Sequence, residues 1–216
     1  MPSLVSSPGV ALDAGALSLL HKTLSAIADD LDRDLRDALQ VDLSDIEASF
    51  EIELPAALAG PAGKALRSVD LAWRLAFIVT ERDLSERDLT STDKVYLDEV
   101  APVEETGLVI LAIEVGSVLA TIKCNGATTG KRLFAVANVL AVLSTVSGVN
   151  VQSLVHAERA DGTPVAVHML DSRRESVAAA IRHELPGIPP GSRVTITGET
   201  SDGSHFSVTL VAPTGD

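Results

Sequence analysis

The residues whose types and spacing could do chemistry begin with the run Asn125-Gly126-Ala127-Thr128-Thr129-Gly130-Lys131-Arg132. It lies between an apolar stretch that reads as a strand and another that reads as a helix. Glycines at such a junction let backbone N–H groups turn toward an anion, and a helix N-terminus adds a favourable dipole. Asn125, Gly126, Thr128, Thr129, Gly130, Lys131 and Arg132 are therefore the candidate anion- or nucleotide-binding residues. The likeness to a P-loop stops at outline, because that motif needs Gly where Asn125 stands and Ser or Thr where Arg132 stands. The two glycines present are one residue too close, and no later apolar strand ends in an acidic metal ligand.

The other reactive types are scattered. The histidines are His21, His156, His168, His183 and His205. His156 and His168 fall on the non-core face of one expected hairpin, in diagonal positions. Two imidazoles bind a metal weakly and a zinc site wants three or four ligands, so the pair reads as a surface feature. A single cysteine, Cys124, excludes an internal disulfide and a cysteine-based zinc cluster. Asp30, Asp32 and Asp34 imitate the start of a calcium loop, but they lie in a helical stretch, with Leu35 where that loop requires Gly. Glu114 stands inside an otherwise apolar strand, and an edge position that exposes it is the expectation. No G-x-S-x-G elbow and no H-E-x-x-H occurs. No catalytic residue, metal site or cofactor is assigned, and the balance leans away from an enzyme.

The elements that must position these groups follow from hydrophobic spacing. Leu17, Leu20, Leu24, Ile27, Leu31, Leu35 and Ala38 recur at three- and four-residue steps, which predicts a long amphipathic helix over 13–40 with Asp13 as its cap. Residues 46–54 alternate strictly, with Ile46, Ala48, Phe50, Ile52 and Leu54 inward and Glu47, Ser49, Glu51 and Glu53 outward. After a connection running to Gly63, residues 69–80 alternate again and read as a second long strand. The charged run 81–94 reads as a loop or short helix and 95–100 as a short strand. Strands at 108–115 and 118–124 are expected to meet in a hairpin across Gly116-Ser117. Residues 131–147 make a helix apolar on nearly all sides, which in a water-exposed protein has to be central.

The last third predicts two similar hairpins around a helix at 172–184. One turns at Ala160-Asp161-Gly162 and the other at Ser201-Asp202-Gly203. In each, the apolar residues of both strands share parity, which demands an odd loop length; three residues with Gly in the left-handed position satisfy this. The fold class is thus α+β: mainly antiparallel sheet from hairpins, a long N-terminal helix, a central buried helix and a C-terminal ββαββ portion. The expected division is an acidic α+β portion over 1–147 and the ββαββ portion over 148–216, packed either as two domains or as one.

Charge narrows the partners. Residues 1–107 hold 21 Asp/Glu against 9 Lys/Arg and residues 108–216 hold 9 against 8, so the net charge of −13 belongs almost wholly to the first half. A field of that sign repels nucleic acid and anionic lipid. The N-terminal sequence does not read as a signal peptide, so a cytoplasmic location is the default expectation, and the Arg-, Ala- and Val-rich composition suggests a GC-rich bacterial genome. The leading expectation is a non-catalytic interaction or assembly module, a subunit or adaptor binding a protein partner or forming a homo-oligomer. The alternatives are an anion- or nucleotide-binding protein built on 125–132, and a two-span membrane protein with helices near 108–122 and 133–155.

Overall fold

A computed structural model of the chain describes residues 11–39, 46–54, 59–81, 94–96, 101, 108–114, 117–122, 129–165, 178–179 and 187–214. The class is α+β, as the spacing predicts. The first helix, α1 (Ala14–Leu39), follows a three-residue strand β1 (Ala11–Asp13). Asp13 caps it: the carboxylate Oδ1 accepts from the N–H groups of Gly15 at 2.9 Å and Ala16 at 3.1 Å. This satisfies two donors that the first helical turn would leave unpaired. Leu17, Leu20, Leu24, Ala28, Leu35 and Leu39 form its buried stripe.

Strand β2 (Ile46–Glu53) keeps the alternation of its sequence, with Ile46, Ala48 and Ile52 buried and Glu51 and Glu53 exposed. The expectation of a strand over 69–80 is overturned. Residues 59–81 are a helix, α2 (Ala59–Glu81), which also absorbs part of the supposed connection before Gly63. The alternation was incomplete, since Ala72, Ala76 and Ile78 stand on what would be the polar side and are as buried as Leu71, Trp73 and Leu75. The polar residues Lys64, Arg67, Asp70 and Arg74 step by three and four, which is helical spacing. Pro61 falls in the first turn, where its missing N–H costs no hydrogen bond. Arg74 is buried; its Nε donates to the carbonyl of Ala101 at 2.8 Å and so ties a distant segment to α2.

Strand β3 (Lys94–Tyr96) overlaps the start of the short strand expected over 95–100, of which 97–100 lie outside the described residues, and pairs with β1 in a small separate sheet. Strands β4 (Leu108–Glu114) and β5 (Ser117–Ile122) form the expected hairpin. Its last pair is Glu114 with Ser117, so Ser117, expected in the turn, is paired in the strand. Glu114 therefore lies on β4, at one edge of the sheet order, as expected. Helix α3 (Thr129–Val146) is buried from Leu133 to Ser144. It is flanked by α1 and α2 and rests on β8 (Arg193–Thr200) and β9 (His205–Val211). The two-span alternative is overturned by this hairpin, by strand β6 (Gln152–Glu158), and by hydropathy: among the described residues no helix is long and apolar enough to cross a membrane.

The large sheet runs β4-β5-β2-β8-β9-β6-β7, where β7 is Pro164–Val165, and every neighbouring pair is antiparallel. Strands from both sides of residue 147 therefore share one sheet. Ala48, Ile52, Ala157, Val194, Ile196, Phe206, Val208 and Leu210 face the helices in a single core with Trp73 and Phe134. The Phe134 and Phe206 rings lie 5.2 Å apart. Gly198 has no side chain because Phe206 occupies that space: a Cβ there would stand 2.5 Å from the ring. Of the expected helix over 172–184, residues 178–179 are described and are helical; the run 82–93 and positions 166–170 of the first hairpin's second strand lie outside the described residues.

Both three-residue loops form as parity demanded. Arg159 N–H donates to the Thr163 carbonyl and Gly162 N–H to the Arg159 carbonyl; Thr200, Ser204 and Gly203 repeat the pattern. Gly162 and Gly203 have φ of 80° and 86°. A side chain there would meet its own carbonyl oxygen. Gly203→Ala is expected to lower the unfolding free energy by about 1–2 kcal/mol. Gly63→Ala is expected to raise it by roughly 0.5–1 kcal/mol, because the site is helical and a Cβ meets nothing within 4 Å. Denaturant titration of the two variants reads both signs.

Candidate functional site

Pleating sends alternate residues of the large sheet away from the helices, and antiparallel register aligns them in rows. One row is Ser49, Thr197, Ser207 and His156, across β2, β8, β9 and β6. The row beside it carries Glu199, His205 and Glu158. Ser49 Oγ lies 2.6 Å from Thr197 Oγ1, a cross-strand hydroxyl pair that helps fix this register. Both rows except Glu158 line a shallow concavity of about 490 Å³, together with Ala48, Gly198 and Phe206. Its walls mix hydroxyls, imidazoles and the Glu199 carboxylate with the apolar surface of Ala48 and Phe206.

At its margin, where His156 and His205 meet Glu158, strand geometry gathers three donors. His156 and Glu158 stand two residues apart on β6 and so share a face, and His205 is the direct cross-strand neighbour of Glu158. His156 Nε2 is 3.5 Å and His205 Nε2 3.8 Å from Glu158 Oε2. The imidazole rings are tilted at 45° with centroids 5.9 Å apart. A ligand atom from each of the three residues lies within 4.8 Å of the other two. His156 and His205 are exposed and Glu158 is half-buried. Two imidazoles and one carboxylate are a donor set for a divalent transition metal.

The two glycine loops hold the ends of these strands together. Ala160 N–H donates to Ser204 Oγ at 3.2 Å, and Ser204 Oγ donates to Asp202 Oδ2 at 3.2 Å. Arg159, next to Glu158, places Nε 3.1 Å and Nη2 2.8 Å from the carbonyl of Ala38, capping the end of α1. The Thr200 hydroxyl, donating to Asp202, holds that carboxyl below its ordinary 3.8, and the Ser204 N–H adds to the effect. Thr163 does the same for Asp161, through its hydroxyl and then its N–H.

The sequence-predicted residues are placed differently. Asn125, Gly126, Thr128, Cys124 and His168 lie outside the described residues. Thr129 and Gly130 open α3. Lys131 Nζ sits 2.7 Å from Asp29 Oδ1 on α1, and the Arg132 guanidinium lies 5.4 Å from the Trp73 ring centre and 5.3 Å from that of Phe77. Both basic side chains thus engage neighbouring helices. His156 stands on the outward face as expected, but its histidine neighbour is His205. The signal for this was present: Glu158 stands two residues before the first glycine loop and His205 two residues after the second, both with outward parity. What the sequence withheld was that β6 and β9 are adjacent.

The depressed carboxyls make a pH prediction. A folded-state value below the unfolded one stabilises above the ordinary carboxylate range and is lost as pH falls through the folded value. Asp202→Ala is expected to melt below the wild type at about pH 7, and the gap between the two Tm values to narrow as pH falls below the ordinary carboxylate range. Paired thermal melts measure this. No protein-family model matches the chain, and no curated protein and no solved structure is found to be similar to it.

Proposed function

We propose that the chain is a non-catalytic interaction module that docks a basic protein surface on the outward face of its large sheet. The observation that supports this reading most is Leu154, which is 61% exposed on β6. Thr209 is its cross-strand neighbour, and Gln152 and His156 flank it on the same face. An isolated apolar side chain ringed by polar groups matches the anchor-and-rim arrangement of docking surfaces.

Charge selects the occupant. Glu51, Glu53 and Glu199 are exposed along this face, and Arg193 is engaged by Glu53 at 3.6 Å. A surface rich in Lys and Arg complements that pattern. A second copy of the chain carries the same net charge of −13 and is opposed by it, as is nucleic acid. The setting we propose is a protein complex of the bacterial cytoplasm, in keeping with the composition.

Affinity purification from the native cell with mass spectrometry is expected to return a basic protein. Its recovery should fall by roughly tenfold for Leu154→Arg combined with Glu199→Lys. It should also weaken as salt is raised, because rim charges are screened. Equal recovery by wild type and the double variant, with circular dichroism showing both folded, overturns the reading. So does a strictly monomeric protein that retains no partner.

A further inference from the structure

We infer that His156, Glu158 and His205 form a binding site for one divalent transition-metal ion of the Zn2+ class. The site does not depend on the docking reading above, since all three ligands belong to this chain.

The distances carry the inference. Zinc holds imidazole nitrogen and carboxylate oxygen at about 2.0–2.2 Å, which places tetrahedral ligand atoms roughly 3.3–3.5 Å from one another. His156 Nε2 and His205 Nε2 stand 3.5 and 3.8 Å from the shared Glu158 oxygen. Those separations are longer than the ~2.7–2.9 Å of a charge-assisted hydrogen bond. The three groups therefore converge without closing on one another: the two imidazole–carboxylate separations are at or just above the spacing a central ion imposes, and all three ligand atoms lie within 4.8 Å of one another. Closing the remaining gap takes small rotations of two exposed imidazoles.

The scaffold is rigid where such a site needs it to be. All three ligands lie on paired strands, with Glu158 and His205 opposite each other in register and His156 two residues along the same face. The linked glycine loops hold the adjacent strand ends, and Arg159 anchors the residue next to Glu158 to the end of α1. Ligands on regular elements keep their geometry better than ligands on loops. Three protein ligands leave one position of a four-coordinate shell open to solvent, and the exposure of both histidines makes it accessible. Two imidazoles in the set favour Zn2+, Co2+, Ni2+ and Cu2+ over Mg2+ and Ca2+, which take oxygen ligands.

The test uses the full chain without a histidine tag. Isothermal titration with Zn2+, and optical titration with Co2+, are expected to show one ion per chain, with Co2+ giving the visible absorption of a four-coordinate site. His205→Gln and Glu158→Gln should each weaken binding by roughly tenfold or more, since even changes in residues that only orient a ligand cost 10–100-fold. His21→Gln should leave binding unchanged, and millimolar Mg2+ should not compete. Circular dichroism establishes that the variants, altered only at solvent-accessible side chains, remain folded. Absence of one-to-one Zn2+ binding at millimolar ion, or binding indifferent to both substitutions, overturns the assignment.

Discussion

Helix α3 presents buried side chains in unbroken succession from Leu133 to Ser144, so no side of it can face water over that span. A helix of this kind has to be wrapped, and what wraps it sets the rest of the molecule. Helices α1 and α2 flank it and the strands β8 and β9 lie against it. Its own polar groups are turned inward to the helix backbone: Asn138 Nδ2 donates to the Phe134 carbonyl, Ser144 Oγ to that of Leu140 and Thr145 Oγ1 to that of Ala141. Hydroxyls that bond within the helix, and the Nδ2 end of the Asn138 amide, are buried this way without the penalty of an unpaired donor, while Asn138 Oδ1 is buried with no hydrogen-bond partner among the described residues. With the apolar side of the sheet committed to this helix layer, most polar side chains of the described central strands stand on the opposite side.

That division explains why the same strands serve two purposes. On β8 and β9 every second residue is buried with α3, and the residues between them carry Thr195, Thr197, Glu199, His205, Ser207 and Thr209. A one-residue slip would exchange the two sets. The tight loop at Ser201-Asp202-Gly203 prevents the slip within its own hairpin. The contact between Ala160 and Ser204 extends the constraint to the neighbouring strand β6. Register is thus what brings two histidines and a glutamate together, and loop chemistry is what fixes the register.

Much of this was legible in the sequence. The stripe from Leu17 to Ala38, the alternation from Ile46 to Leu54 and the shared parity around the two Asp-Gly loops each encode local geometry, and local geometry formed as encoded. The segment from Val69 to Val79 misled because a helix buried on most sides is apolar at odd and even positions alike. Its period was carried only by the few polar residues Lys64, Arg67, Asp70 and Arg74. The histidine and glutamate cluster was legible only in part, since outward parity could be read for each residue while adjacency of β6 and β9 is a long-range property. The basic pair Lys131 and Arg132 was legible as charge, but its partners Asp29, Trp73 and Phe77 come from other helices.

Pairing between β2 and β8 has a consequence for how the chain comes to be made. Ser49 and Thr197, which touch in the finished sheet, are 148 residues apart. At synthesis rates of about 5–20 residues per second, the edge of β2 that will receive β8 waits roughly 7–30 s for it. An unpaired, alternating strand is a template for pairing with other chains over such an interval. Glu51 and Glu53, exposed in the finished fold, stand on that waiting strand as charges that make intermolecular pairing costly. The acidity of β2 is in this sense a property of the nascent chain as much as of the folded surface.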